Sequence, residues 1–107
     1  MARAVSVLVG SLCAMLSMPG SAAGAARTHT VVIEKMKFGP MPAHARQGDI
    51  IVWDNRDMFR HTATAKAAFD IDLPAGAARK MRLSRTGNFQ VICKFHPGMK
   101  GVLKVAK

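Results

Sequence analysis

Near its C-terminal end the chain reads Cys93-Lys94-Phe95-His96-Pro97-Gly98-Met99. A thiolate, an imidazole and a thioether fall within one short segment, which a single loop can turn inward on one ion. Thiolate with imidazole suits copper, zinc or iron. The thioether discriminates: zinc is bound by Cys, His and carboxylates, whereas a trigonal copper site of two His and one Cys takes a weak axial Met. Such a site needs a second His from elsewhere, and His29, His44 and His61 are available. His29 stands at the start of the folded part, where fraying is expected. His44 alternates with Ala43 and Ala45, which places it on an outer face with Arg46. His61 opens a strand after the polar loop Asn55-Arg56-Asp57-Met58-Phe59-Arg60. The expected ligand set is therefore His61, Cys93, His96 and Met99.

Cysteine usage points the same way. The chain has 107 residues and two cysteines. Arg3 is followed by an uncharged run at 4–18 (AVSVLVGSLCAMLSM), a Pro19-Gly20 break, and Ser21-Ala22-Ala23-Gly24-Ala25-Ala26. A basic start, an apolar middle and a small-residue exit describe a secretory signal peptide. At about 15 residues the run is shorter than the ~18 or more of a spanning helix. Residues 1–26 are read as a signal peptide cleaved after 23, 25 or 26, and 27–107 as the mature domain. Cys13 leaves with the leader, so Cys93 can form no intramolecular disulfide. A lone thiol in an oxidising compartment is a liability unless buried, paired between chains or bound to metal. A domain of about 80 residues also buries little more than half of its unfolded surface, and small secreted domains usually add disulfides or a metal. Metal is the economical account of both facts.

The elements that must position these ligands read as short strands. Residues 30–38 (TVVIEKMKF) form one, broken by Gly39-Pro40-Met41-Pro42, and 49–54 (DIIVWD) another. Residues 61–65 and 69–73 alternate, 78–84 alternate apolar with basic, 89–93 (FQVIC) lead into Cys93, and 101–105 close the chain. Turn signals recur at the spacing of a sandwich or barrel, with no helical period in the mature part. Strands that bury one face each pack naturally as two facing sheets. The predicted class is all-β. Half of the residues are hydrophobic, which excludes a disordered basic tail. There is no Tyr and one Trp, so the core rests on aliphatics, Met and five Phe.

These residues resemble a known family, the cupredoxins or small type 1 blue copper proteins, and the likeness runs from about Thr30 to Val105. Phe38 and Pro40 followed by Gly48-Asp49 are similar to the first strands. Trp53-Asp54-Asn55-Arg56-Asp57 leading to His61 is similar to the segment that delivers the first His ligand. Gly87-Asn88-Phe89-Gln90-Val91-Ile92-Cys93 is similar to the strand that delivers the Cys, and the spacing from Cys93 to His96 to Met99 matches the short ligand loop of amicyanin-like members. The resemblance implies a Greek-key β-sandwich with one copper at one end, a periplasmic location, and single-electron shuttling in which the edge of His96 passes the electron. Thr62 stands where many members have Asn tying the ligand loops together, Arg60 where many have Pro, and Ala43 and Ala45 where inward Ile or Val is common. A less firmly held loop and a thinner core are the corresponding expectations.

Charge and composition bear on partners. The formal net charge is +10. A basic surface speeds encounter with an acidic partner, so a c-type cytochrome or a periplasmic dehydrogenase or reductase is expected. Nucleic acid is excluded by export and by the missing Tyr, and stable membrane insertion by the short apolar run; a monomer is expected. Met58, Phe59, Pro97 and Gly98 are candidates for an apolar docking patch, and Arg60, Lys94 and Lys100 for cations that favour Cu(I). The alternative function is copper trafficking or storage, which the scattered Met residues disfavour. A copper enzyme is not expected, because no second His cluster is present and the ligand set leaves no open position.

Overall fold

The computed structural model describes residues 25–107, together with Ala4 and Gly10. Apart from Ala4 and Gly10, the apolar run of the expected signal peptide lies outside the described residues. Nine strands follow: β1 Thr28–Glu34, β2 Lys37–Phe38, β3 Ala45–Arg46, β4 Ile50–Asn55, β5 His61–Ala65, β6 Phe69–Leu73, β7 Ala78–Arg82, β8 Gly87–Ile92 and β9 Lys100–Ala106. They form two sheets, ordered β2-β1-β4-β7 and β3-β9-β8-β5-β6. The β1–β4 and β3–β9 pairs are parallel and the others antiparallel. The chain passes repeatedly from one sheet to the other, as a Greek-key sandwich requires.

Alternation explains which faces meet. Val31 and Ile33 of β1, Ile51 and Trp53 of β4, Val91 of β8, and Leu103 and Val105 of β9 are buried, while the residues between them face out. Side chains of a strand alternate in this way, and each fully buried Val, Leu or Ile contributes ~1.5–3 kcal/mol. Trp53 is the hub. Its ring meets Phe38 at 6.1 Å, edge on, and Phe69 at 6.1 Å, tilted. Its indole Nε1 is buried without a hydrogen-bond partner.

Three local expectations are corrected. Residues 30–38 are a hairpin, not one strand: Lys35 and Met36 adopt φ of 53° and 60° and turn β1 back into β2. The residues at such a turn are usually Asn and Gly. Here both backbone amides are instead held by the Asp57 carboxylate, at 2.8 and 3.0 Å. Ala45 is buried in a strand, β3, but Ala43 is exposed and does not serve the core. His29 does not fray. It lies in β1 with its Nε2 2.8 Å from Asp49 Oδ2.

Asp49 closes the end of the sandwich where the chain enters. The carboxylate is buried and accepts from the Arg27 and Arg46 amides, both at 3.0 Å. These bonds and that of the His29 ring hold the carboxyl down at about 2, the Arg27 amide contributing most. The opposite end is built by the last residues of β4 and β8 and the first of β5 and β9. There Ile92 pairs with Lys100, so the segment 93–99 is the loop of the β8–β9 hairpin.

Candidate metal centre

Each side chain of the expected site is delivered by a defined element. Cys93 directly follows β8 and is buried, with 3% of its surface exposed. Met99 directly precedes β9 and is likewise buried. The loop between them is closed by backbone bonds, Cys93 N–H to Met99 O at 3.1 Å and Met99 N–H to His96 O at 3.1 Å. Gly98 allows the closure, because its φ of 94° is one that side-chain-bearing residues seldom adopt. His61, the first residue of β5, is fully buried, and His96 is half-buried.

The structure brings His61, Cys93 and His96 together. One ring nitrogen of each His and the Cys93 sulfur all lie within 4.8 Å of one another. The His61 and His96 rings meet edge to face with centroids 4.8 Å apart. Met99 is tied by its backbone to both Cys93 and His96. His44 and His29 lie elsewhere: His44 is exposed beside Arg46, and His29 is engaged by Asp49.

The tautomers follow from what surrounds the rings. A carboxylate only accepts, so His61 donates Nε2–H to Asp57 Oδ2 at 2.7 Å. Nδ1 is left facing Cys93 Sγ at 3.7 Å. His96 donates Nε2–H to the Arg60 carbonyl at 3.2 Å, which frees its Nδ1. The sulfur accepts the Thr62 N–H at 3.4 Å. Two imidazole nitrogens and a thiolate, with a thioether next in the same loop, form the donor set that suits copper. Asp57 is no competing ligand, since its oxygens are occupied by the His61 ring and the Lys35 and Met36 amides. A carboxylate that orients a ligating His in this way supports the metal from outside the ligand set. Partial burial acts to raise the Asp57 carboxyl. The hydrogen bonds from His61, Met36 and Lys35 together overcome it and leave the group below the usual carboxylate range.

Two buried or half-buried residues of this shell were not singled out from sequence. Asn55, fully buried at the end of β4, donates its side-chain amide to the carbonyls of Phe59 and Leu73, both at 2.9 Å, and accepts the Asp57 N–H at 2.9 Å. It therefore sets the shape of the 55–60 loop. Asp57 is the second, and its place four residues before His61 was the available signal. Thr62 ties the two ligand segments after all: its Oγ1 accepts the Lys94 N–H at 3.0 Å.

The rim of the site is apolar, and two of its cations are paired. Met58, Phe59 and Phe95 are 88%, 56% and 49% exposed. The Arg60 guanidinium lies 5.2 Å from the centre of the Phe95 ring and binds Asp72 in fork fashion at 2.8 and 3.0 Å. Lys94 Nζ donates to Asp70 Oδ2 at 2.7 Å. Of the cations expected to bias the site, Lys100 alone has no carboxylate partner among the described residues.

No family model matches the chain. None of the curated proteins matches it either. Among solved structures it is similar to a mutant of amicyanin in the reduced state, with 26% identity over 73% of this chain and 81% of that one and a TM-score of 0.64. Another amicyanin mutant, described with Cu(I), shares 25% identity over 73% of this chain and 81% of that one, with a TM-score of 0.63. A copper-containing nitrite reductase from Thermus scotoductus is similar at 25% identity and a TM-score of 0.65, over 73% of this chain but 22% of the reductase.

Proposed function

We propose that this chain, which has a cupredoxin fold and a site for one type 1 copper, carries single electrons between redox partners. The observation that carries the reading is the His61–Cys93–His96 cluster, which opens at half-buried His96 into the exposed rim of Met58, Phe59 and Phe95. In this reading His61, Cys93 and His96 would hold the ion, with the Met99 thioether as the further donor. Copper supplies the Cu(I)/Cu(II) couple there.

The chain's own residues do the rest. Asp57 holds the His61 ring in one tautomer and orientation. Burial of Cys93 keeps water from the sulfur, and the Thr62 N–H withdraws charge from it. The exposed rim gives a partner an apolar surface against His96. We place the protein in the periplasm, with residues 1–26 as the cleaved signal peptide and 27–107 as the working domain. Its partner is an acidic redox protein, a c-type cytochrome or a dehydrogenase or reductase.

The visible absorption spectrum of the chain loaded with Cu(II) tests this. An intense thiolate-to-copper band is expected, and Cys93→Ser should abolish it. The loaded protein should also cycle reversibly by one electron without releasing the ion. A pale protein would refute Cys93 ligation, and transfer of the ion itself to an acceptor would replace the carrier with a copper chaperone.

A further inference from the structure

Lys94, the residue after Cys93, is gripped at both its ends by one ring of hydrogen bonds. Its backbone N–H reaches Thr62 Oγ1 at 3.0 Å, and its Nζ reaches Asp70 Oδ2 at 2.7 Å. Thr64 Oγ1 closes the ring, 2.9 Å from Thr62 Oγ1 and 2.8 Å from Asp70 Oδ1. The directions are fixed by chemistry. A hydroxyl carries one proton and an ionised carboxylate only accepts. Thr64 therefore donates to Asp70, Thr62 donates to Thr64, and Thr62 keeps a lone pair for Lys94 N–H. Each donor in such a chain polarises the next.

The ring runs from the surface to the sulfur. Asp70 is exposed, Thr64 half-buried, and Thr62 2% exposed. Thr62 is also the residue whose N–H meets Cys93 Sγ at 3.4 Å. A threonine hydroxyl alone is a weak tie between two ligand segments, because it rotates. Here Thr64 and Asp70 fix its rotor. The Asp70 carboxyl is held below the usual range by Lys94 first and Thr64 second, so it stays an acceptor at neutral pH.

We infer that Thr64 and Asp70 are positioning residues of the centre: through Thr62 and Lys94 they fix where Cys93 sits against His61 and how its sulfur is hydrogen-bonded. The spectroscopic consequence rests on the copper reading above; the placement of Lys94 does not. An exposed Lys–Asp pair alone would contribute little, so the decisive atoms are the two hydroxyls.

The test compares Thr64→Val, Thr64→Ser and Asp70→Asn in the full chain. In the metal-free protein, Thr64→Val should speed hydrogen exchange of the Lys94 amide by ~10-fold or more. With Cu(II), it should move or weaken the thiolate-to-copper band. Thr64→Ser should restore both. Asp70→Asn, at the exposed end, should act in the same direction even if the Val variant folds poorly. If Thr64→Val leaves Lys94 exchange and the band unchanged, the inference is overturned, even where the melting point falls. If the unaltered chain shows no band, the copper reading fails, and the exchange measurement still decides the ring.

Discussion

Asp57 supports the centre from outside the expected ligand set. One carboxylate holds the His61 ring at 2.7 Å and the two amides of the Lys35–Met36 turn. In Asp57→Asn, one of the two side-chain positions presents N–H groups to neighbours that are themselves donors. Outer-shell losses of this kind cost roughly 10–100-fold in metal affinity. A weakening of that size in Cu(II) competition titrations is the expected outcome, and an unchanged affinity would show that His61 is held by packing alone. Arg60 gives a second expectation. It is paired with Asp72 at the edge of the site, so its loss leaves a nearby carboxylate uncompensated. Arg60→Gln should lower the midpoint potential, and adding Asp72→Asn should bring it back. Both groups are more than half exposed, so the effect should shrink as salt is raised. Cys93, His96 and Met99 were legible as candidate ligands because types and spacing within one hairpin loop are local facts, and His61 stood out only by comparison with His29 and His44. Asp57 was the missed support: its place four residues before His61 was a local signal, but its other role, on a turn more than 20 residues away, was not visible in the sequence.

At the level of elements, alternation in the sequence was enough to find most strands, because β1, β4 and β9 bury alternate residues. It failed where a distant side chain decides the backbone. The Lys35–Met36 turn carries neither Gly nor Asn and exists because a carboxylate from the β4–β5 loop binds its amides. His29 read as a frayed end because its partner Asp49 lies 20 residues on. Asp49 gives a pH prediction. Its carboxyl titrates at about 2 in the folded protein against an ordinary 3.8. A depressed carboxyl stabilises the fold above its unfolded value, and that stability is lost as pH falls. The contribution is thus complete above about pH 4 and disappears toward pH 2. Asp49→Asn should lower the melting point at neutral pH and flatten the acid limb of the stability curve across that window. Trp53 supplies the other element-scale expectation. Truncating a buried Trp to Ala costs ~3–5 kcal/mol, but leaving a buried N–H unpaired costs ~1–3 kcal/mol. Trp53→Phe keeps much of the aromatic packing and removes the orphaned indole N–H. Denaturant titration should find it destabilised by less than about 2 kcal/mol, well short of Trp53→Ala.

Across the whole molecule the charge is not spread evenly. Around the metal centre Arg56, Arg60 and Lys94 are matched by Asp54, Asp72 and Asp70. At the opposite end Arg27, Arg46, Arg82, Lys104 and Lys107 surround one open depression. The carboxylate there, Asp49, is already taken by two amides and a ring. That end therefore carries a basic cluster around one engaged carboxylate, while beside His96 the cations Arg60 and Lys94 are paired and Met58, Phe59 and Phe95 make the rim apolar. The two ends are a strand length apart, about 20 Å for the seven residues of β9. Counter-ions screen charge over ~8 Å at physiological salt and ~30 Å at 0.01 M. The far end should then influence a small anion approaching His96 only when salt is low. The variant Arg46→Ser, Arg82→Ser, Lys104→Ser should elute earlier from a cation exchanger. Its electron exchange with ferricyanide should match the unaltered protein at 0.15 M salt and fall behind at 0.01 M, by the screening lengths above. A rate that dropped equally at both salts would mean that electrons enter at the basic end, and that the rim around His96 is not the route.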